Sequence, residues 1–161
     1  MYEYMITQTR EACQVKHGDL SNKVRPSLLI VFEGLIGVLP DENKAAFDKA
    51  VKHDRWWHAI SYYTLDPQVM SKMLDLIWHK QMNLEIVTFL SENAAIAIAE
   101  RMDQENIPVA SVWDCTPDRL SRLLSYLPRI AKVYDPDKSR AFKYGSRGMY
   151  VTNHNQVGGE F

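Results

Sequence analysis

Two acidic groups stand where apolar runs stop. Glu33 follows Ser27-Leu28-Leu29-Ile30-Val31-Phe32 and precedes Gly34, while Asp135-Pro136-Asp137 follows Ile130 to Tyr134. Carboxylates that converge at such ends can hold a divalent cation or activate a water as general base. The same residues also suit structural duties, since Asp before Pro opens turns and Asp137 can cap the segment that follows. Cys115 also follows an apolar run, but a nucleophilic thiol would need a lowered pKa. The five histidines, His17, His53, His58, His79 and His154, do not fall into zinc-ligand spacings. No Ser-His-Asp set, glycine-rich phosphate loop or CxxC pair occurs.

The elements that must position these residues alternate in type. Ser27 to Phe32 is apolar on both faces, as a central parallel strand requires. Asp41 to His53 has helical spacing with Asp41 as N-cap, and the aromatic-rich Trp57 to Thr64 reads as extended. Asp66-Pro67 opens a helix whose apolar face runs from Val69 to Trp78. Thereafter Leu84 to Leu90, Val109 to Trp113, Ile130 to Tyr134 and Gly148 to Thr152 read as strands. Ala94 to Glu105, Pro117 to Tyr126 and Lys138 to Tyr144 read as the helices between them. Strands alternating with helices predict a parallel sheet covered on both faces, with ligands beyond the carboxyl ends of the strands.

The strand ends carry a recognisable pattern. Leu29-Ile30-Val31-Phe32-Glu33-Gly34-Leu35-Ile36 resembles the first motif of the haloacid dehalogenase-like (HAD-like) hydrolases, an apolar strand ending in Asp-x-Asp-Gly. Glu85 to Ser91 resembles the second motif. Ala131 to Asp137, with Tyr144-Gly145 and Gly148 to Val151, is similar to the acidic fourth motif and the strand after it. The resemblance spans residues 27 to 152 and implies a three-layer, Rossmann-like α/β core. Its parallel five-strand sheet would have order 3-2-1-4-5, and residues 37 to 83 would hold a squiggle, a flap and a helix without a large cap.

Carried over residue by residue, the resemblance implies damaged chemistry. The nucleophilic aspartate falls on Val31, which can neither attack phosphorus nor bind a metal. The acid–base aspartate falls on Glu33, and Gly34 is retained as a phosphate-side turn residue. The phosphate-binding hydroxyl falls on Leu90 or Ser91, with Ser91 the better placed, although it can also cap the following helix. Arg119 stands nearest to the lysine of the third motif, and Asp135 and Asp137 match the acids that hold Mg²⁺. The expected protein is a degenerate, non-catalytic binding, regulatory or structural domain. The alternatives are a Mg²⁺-dependent phosphohydrolase using Glu33, Asp135 and Asp137, and a subunit of a larger assembly.

Composition sets the remaining expectations. The 161 residues suffice for one core, with 46% hydrophobic and 24% charged residues. The formal net charge of −1 gives no general pull toward nucleic acid or anionic membrane. Cys13 and Cys115 lack the spacing of a disulfide framework, so the chain reads as a cytoplasmic protein with free thiols and no membrane helix. Residues 1 to 26 read as an N-terminal extension containing a short helix, Tyr2 to Gln14, and residues 153 to 161 as a flexible tail. The extension and the Trp56-Trp57 region, with Tyr62 and Tyr63, are the candidate protein-contact surfaces.

Overall fold

The computed structural model describes residues 4–8, 12–17, 25–151 and 157. Nine strands and six helices follow one another as β1 (Tyr4–Gln8), β2 (Cys13–His17), β3 (Ser27–Val31), β4 (Gly37–Val38), α1 (Lys44–Lys52), α2 (Trp56–Ser61), β5 (Thr64–Leu65), α3 (Pro67–Trp78), β6 (Asn83–Thr88), α4 (Glu92–Gln104), β7 (Ser111–Asp114), α5 (Pro117–Leu123), β8 (Ile130–Asp135), α6 (Lys138–Lys143) and β9 (Gly148–Tyr150). Seven strands form one mixed sheet in the order β1-β2-β7-β6-β3-β8-β9. The last five in that order run parallel, and β2 and β1 extend the sheet antiparallel from the edge of β7. The fold is α/β, and no described helix is long and apolar enough to cross a membrane.

β3 lies at the centre, and all five of its residues are buried. Its alternate side chains feed two cores. Leu28 and Ile30 join Phe32, Leu84 and Ile86 under α3 and α4, while Leu29 and Val31 join Val87, Val133 and Leu120 under α5. α4 presents Ala94, Ala95, Ala97, Ile98, Ala99 and Met102 inward, and such small residues let a helix lie close to a sheet.

Most helices start on a cap. Asp66 accepts hydrogen bonds from the N–H groups of Gln68 and Val69, Ser91 from Ala94, Thr116 from Arg119 and Asp137 from Arg140. Pro67 and Pro117 sit at the first helical turn, where a missing N–H costs nothing. Three of these caps, Ser91, Thr116 and Asp137, follow parallel strands directly, so α4, α5 and α6 begin at the carboxyl ends of β6, β7 and β8.

The structure differs from the sequence reading in three places. The N-terminal segment is a strand pair, not a helix. Cys13 to Lys16 pair with Ser111 to Asp114, and the free edge of β7 thus offers backbone partners that a helix would forgo. Trp57 to Thr64 is mostly helical, because Ala59, Ile60 and Tyr63 bury together at helical spacing while the aromatic content suggested a strand. Asp41 does not cap α1; it opens a 3-10 turn, Asp41–Asn43, that runs into the helix without a side-chain cap. Of the expected extension and tail, residues 1–3, 9–11, 18–24, 152–156 and 158–161 lie outside the described residues, while Val157 is buried in the core.

One buried charge ties three strands at their amino ends. Glu85 on β6 is 1% exposed and accepts hydrogen bonds from Ser111 (2.6 Å), Trp113 Nε1 (3.0 Å) and Arg129, at 3.2 Å through Nε and 2.9 Å through its terminal nitrogen. Burial alone would raise its pKa, but Arg129 and the neutral donors outweigh burial and hold the carboxyl below its usual value of 4.5. Such a group contributes stability above the unfolded pKa and loses it as pH falls through the folded one. Glu85→Ala should therefore cost about 3 kcal/mol in urea unfolding at pH 7. The wild-type protein should lose more stability than Glu85→Gln as pH is taken below 4.5; equal acid sensitivity in the two would disprove the assignment.

Candidate functional site

The parallel strands change direction of progression at β3, with β6 and β7 added on one side and β8 and β9 on the other. The crevice beyond the carboxyl end of such a strand is where α/β sheets bind ligands. The chain leaves β3 in a single tight turn. The Phe32 carbonyl accepts N–H groups from Leu35 (3.4 Å), Ile36 (3.1 Å) and Gly37 (3.0 Å), and the Gly34 N–H reaches the Gly37 carbonyl at 2.8 Å. Gly34 has φ +87°, a conformation that side chains resist, and any Cβ there would lie 3.2 Å from Pro136. At Gly37 a Cβ would sit 2.8 Å from the Phe32 ring. Gly34 thus lets the turn after β3 lie against the turn after β8, and Gly37 lets the chain pass close to the Phe32 and Tyr63 rings.

Glu33 emerges from this turn. Its carboxylate accepts hydrogen bonds from the Thr88 hydroxyl and, at 3.3 Å, from the Phe89 N–H. Burial pushes its pKa up to about 7, against the lowering effect of Thr88, Phe89 and the more distant Arg140 charge. Tyr63 is raised to about 12 by burial and by the Glu33 charge. Glu33 is therefore a carboxyl group able to gain or lose a proton near neutral pH.

Asp135, the last residue of β8, is fully buried. It is occupied by three groups: the Arg140 guanidinium meets both of its oxygens at 3.0 to 3.2 Å, the Tyr144 hydroxyl donates at 3.0 Å and the Asp137 N–H at 2.8 Å. Burial would lower the Arg140 pKa, but the bonds to Asp135 raise it, and its guanidinium stacks 5.0 Å from the centre of the Phe89 ring. Burial and the Asp135 charge raise the Tyr144 hydroxyl, which stays protonated as a donor. The cation needed to neutralise the strand-end acid is supplied by the chain itself.

The expected site residues therefore separate. Glu33 and Gly34 stand where expected, at the end of the central strand. Asp135 and Asp137, expected as Mg²⁺ ligands, do not fit that ion. Asp135 is saturated by a fixed positive charge, Asp137 caps α6, and among the described residues no three His, Cys, Asp or Glu side chains are grouped to hold a metal. Ser91 is the N-cap of α4; the hydroxyl at the end of β6 is Thr88. Arg119 and Ser91 do share a cleft of about 250 Å³, but Glu92 and Asp114 line it too, and burial together with Glu92 raises the Asp114 pKa. That surplus of acid opposes phosphate. Burial raises Cys13 to about 11 and Cys115 to about 12, so neither thiol is an activated nucleophile.

Thr88, Arg140 and Tyr144 were missed by the sequence reading. Thr88 is the first hydroxyl after the apolar stretch Ile86-Val87, a signal obscured because Phe89 and Leu90 extend the apolar run past the strand. Arg140 lies three residues after Asp137, which places it in the first turn of a capped helix.

The raised pKa of Glu33 makes stability depend on pH. Because the folded state binds the proton more tightly than the unfolded chain, the contribution is full below pH 4.5 and is lost as pH rises through about 7. Glu33→Gln should be more stable than the parent by about 2 kcal/mol at pH 8 and nearly equal to it at pH 4.5. Unfolding curves that differ by the same amount at both pH values would contradict this reading.

Compared with known proteins, the chain matches no family model, and neither the curated proteins nor the solved structures give a significant match.

Proposed function

We propose that the chain is a degenerate HAD-like domain that performs no aspartyl-phosphate chemistry and acts as a binding, regulatory or structural protein. The observation that carries the reading is Val31, fully buried in an apolar cluster at the end of the central strand, where this chemistry needs a carboxylate. Numbered by their order in the chain, the five parallel strands run 3-2-1-4-5, in line with the family's core. The tight turn at Phe32–Gly37 and the small β4–β5 hairpin that follows are consistent with a squiggle and flap, with α1 and α2 inserted between the hairpin strands. Thr88 and Asp135 support the same alignment, each closing the strand on one side of β3.

Arg140 supports the loss of catalysis. A phosphatase of this kind brings Mg²⁺ to the strand-end acids, whereas here a guanidinium is bonded to both oxygens of Asp135 and would repel that ion at close range. The same pair weakens the alternative of a hydrolase built on Glu33, Asp135 and Asp137, since two of its three ligands are committed elsewhere.

Incubation with a panel of phosphate esters and Mg²⁺ should give no turnover above buffer, and a phosphoenzyme trapped on this chain would overturn the proposal. Val31→Asp probes the strand-end alignment in a second way. The lone substitution should destabilise the fold by about 3 kcal/mol through an unpaired buried charge. Combined with Arg140→Ala, it should gain a Mg²⁺-dependent rise in melting temperature that the parent lacks. No such gain would speak against the alignment.

A further inference from the structure

α1 and α2 each carry a stripe that the strand-end site does not use. Ala46, Lys49, Ala50 and His53 recur at the three- and four-residue spacing that keeps them on one face of α1. Arg55, His58 and Tyr62 do the same along α2. The two stripes line one cavity of about 410 Å³, within the size range of small-molecule pockets.

The turn between the helices sets this geometry. The Arg55 N–H bonds the Ala50 carbonyl at 2.8 Å and the Asp54 N–H bonds the Val51 carbonyl at 3.0 Å, while Asp54 takes φ +56°. These two hydrogen bonds close the carboxyl end of α1, and a left-handed residue between the two helices turns the chain so that Lys49 and Arg55 line one cavity.

The lining is one-sided in charge. Lys49 and Arg55 supply the charge, His53 and His58 add polar rings, and no Asp or Glu lines it. Among the described residues no side-chain hydrogen bond or ion pair engages Lys49, His53 or Arg55, and the His58 ring touches only that of Trp57. The other cavities with cations differ. Arg119 shares its cleft with Glu92 and Asp114, Arg129 and Lys16 share theirs with Glu85, and Arg101, which lines two, shares one with Glu105 and donates to the Ile60 carbonyl in the other. In a chain of net charge −1, unneutralised cations gathered around a cavity leave a local positive potential that favours an anion. Ala46, Ala50 and the Tyr62 ring give the same cavity an apolar part.

We propose that the α1–α2 cavity binds a small organic phosphate, with its anionic group between Lys49 and Arg55 and its apolar portion on Ala46, Ala50 and Tyr62. The site is independent of the strand-end residues and holds whether or not Glu33 takes part in chemistry. Charge-assisted hydrogen bonds from Lys and Arg are the ordinary means of holding a phosphate, and the histidine rings add further donors.

Phenylphosphonate, which combines a dianion with a ring and cannot be hydrolysed as an ester, is the probe. Isothermal titration of the full chain should show saturable binding of one equivalent. Lys49→Ala and Arg55→Ala should each weaken it by about tenfold or more, whereas Arg119→Ala should leave it unchanged. Both substituted side chains are exposed, and circular dichroism would verify that the helices persist. No saturable binding up to about 10 mM, or binding that survives both substitutions, would overturn the proposal.

Discussion

β3 is closed on both flanks by β6 and β8 and on both faces by helices, so none of its five residues reaches solvent. A charge in that position would need a partner within the core or would stay neutral at a cost of several kcal/mol. The strand is accordingly all apolar from Leu28 to Val31, with Ser27 at its start. Polar chemistry is displaced to the first residues that leave the sheet, and the same limit acts on β6 and β8, where Thr88 and Asp135 are each the last residue of their strand. The crevice chemistry is thus decided by where three neighbouring strands stop.

Burial treats the three inner carboxylates differently because their partners differ. Glu85 and Asp135 lie toward opposite ends of the sheet, and each is met by an arginine that reaches in from outside it, Arg129 or Arg140. Full cations at hydrogen-bond distance can offset the desolvation of an anion. Glu33 receives only a hydroxyl and one backbone N–H, and these do not outweigh burial, so its proton is held until about neutral pH. A carboxyl so placed has the acid–base property of a catalytic group, and the residue two before it is the aliphatic Val31.

Much of the architecture was legible because it rests on local signals. Continuous apolar runs marked the parallel strands, and Asp66-Pro67 marked a helix start with a cap and a compatible proline. The failures were places where a distant partner decided the outcome. The N-terminal segment became strands because β7 had an unpaired edge, and Trp56 to Ser61 became helical because α2 packs against α4 with Ala59 and Ile60 buried, neither of which is visible in a window of local sequence. The site followed the same division. Glu33-Gly34 and Asp135-Pro136-Asp137 announced themselves by position, but Ser91 caps α4 and the hydroxyl at the end of β6 is Thr88, since an apolar run does not reveal where sheet pairing ends.

The amino-acid sequence by itself determined that β3 would be aliphatic through Val31, that a carboxylate would follow beside a turn-forming glycine, and that the chain would alternate strands with helices. These are properties of residue type and short spacing. Only the tertiary structure decided which acids would be free. Asp135 is paired because α6 folds back and carries Arg140 against it, Glu33 is left with neutral donors, and Lys49 and Arg55 line one cavity to which no carboxylate contributes. The reason is physical: ionic state depends on distance and burial, and both are set by elements brought together from separate parts of the chain.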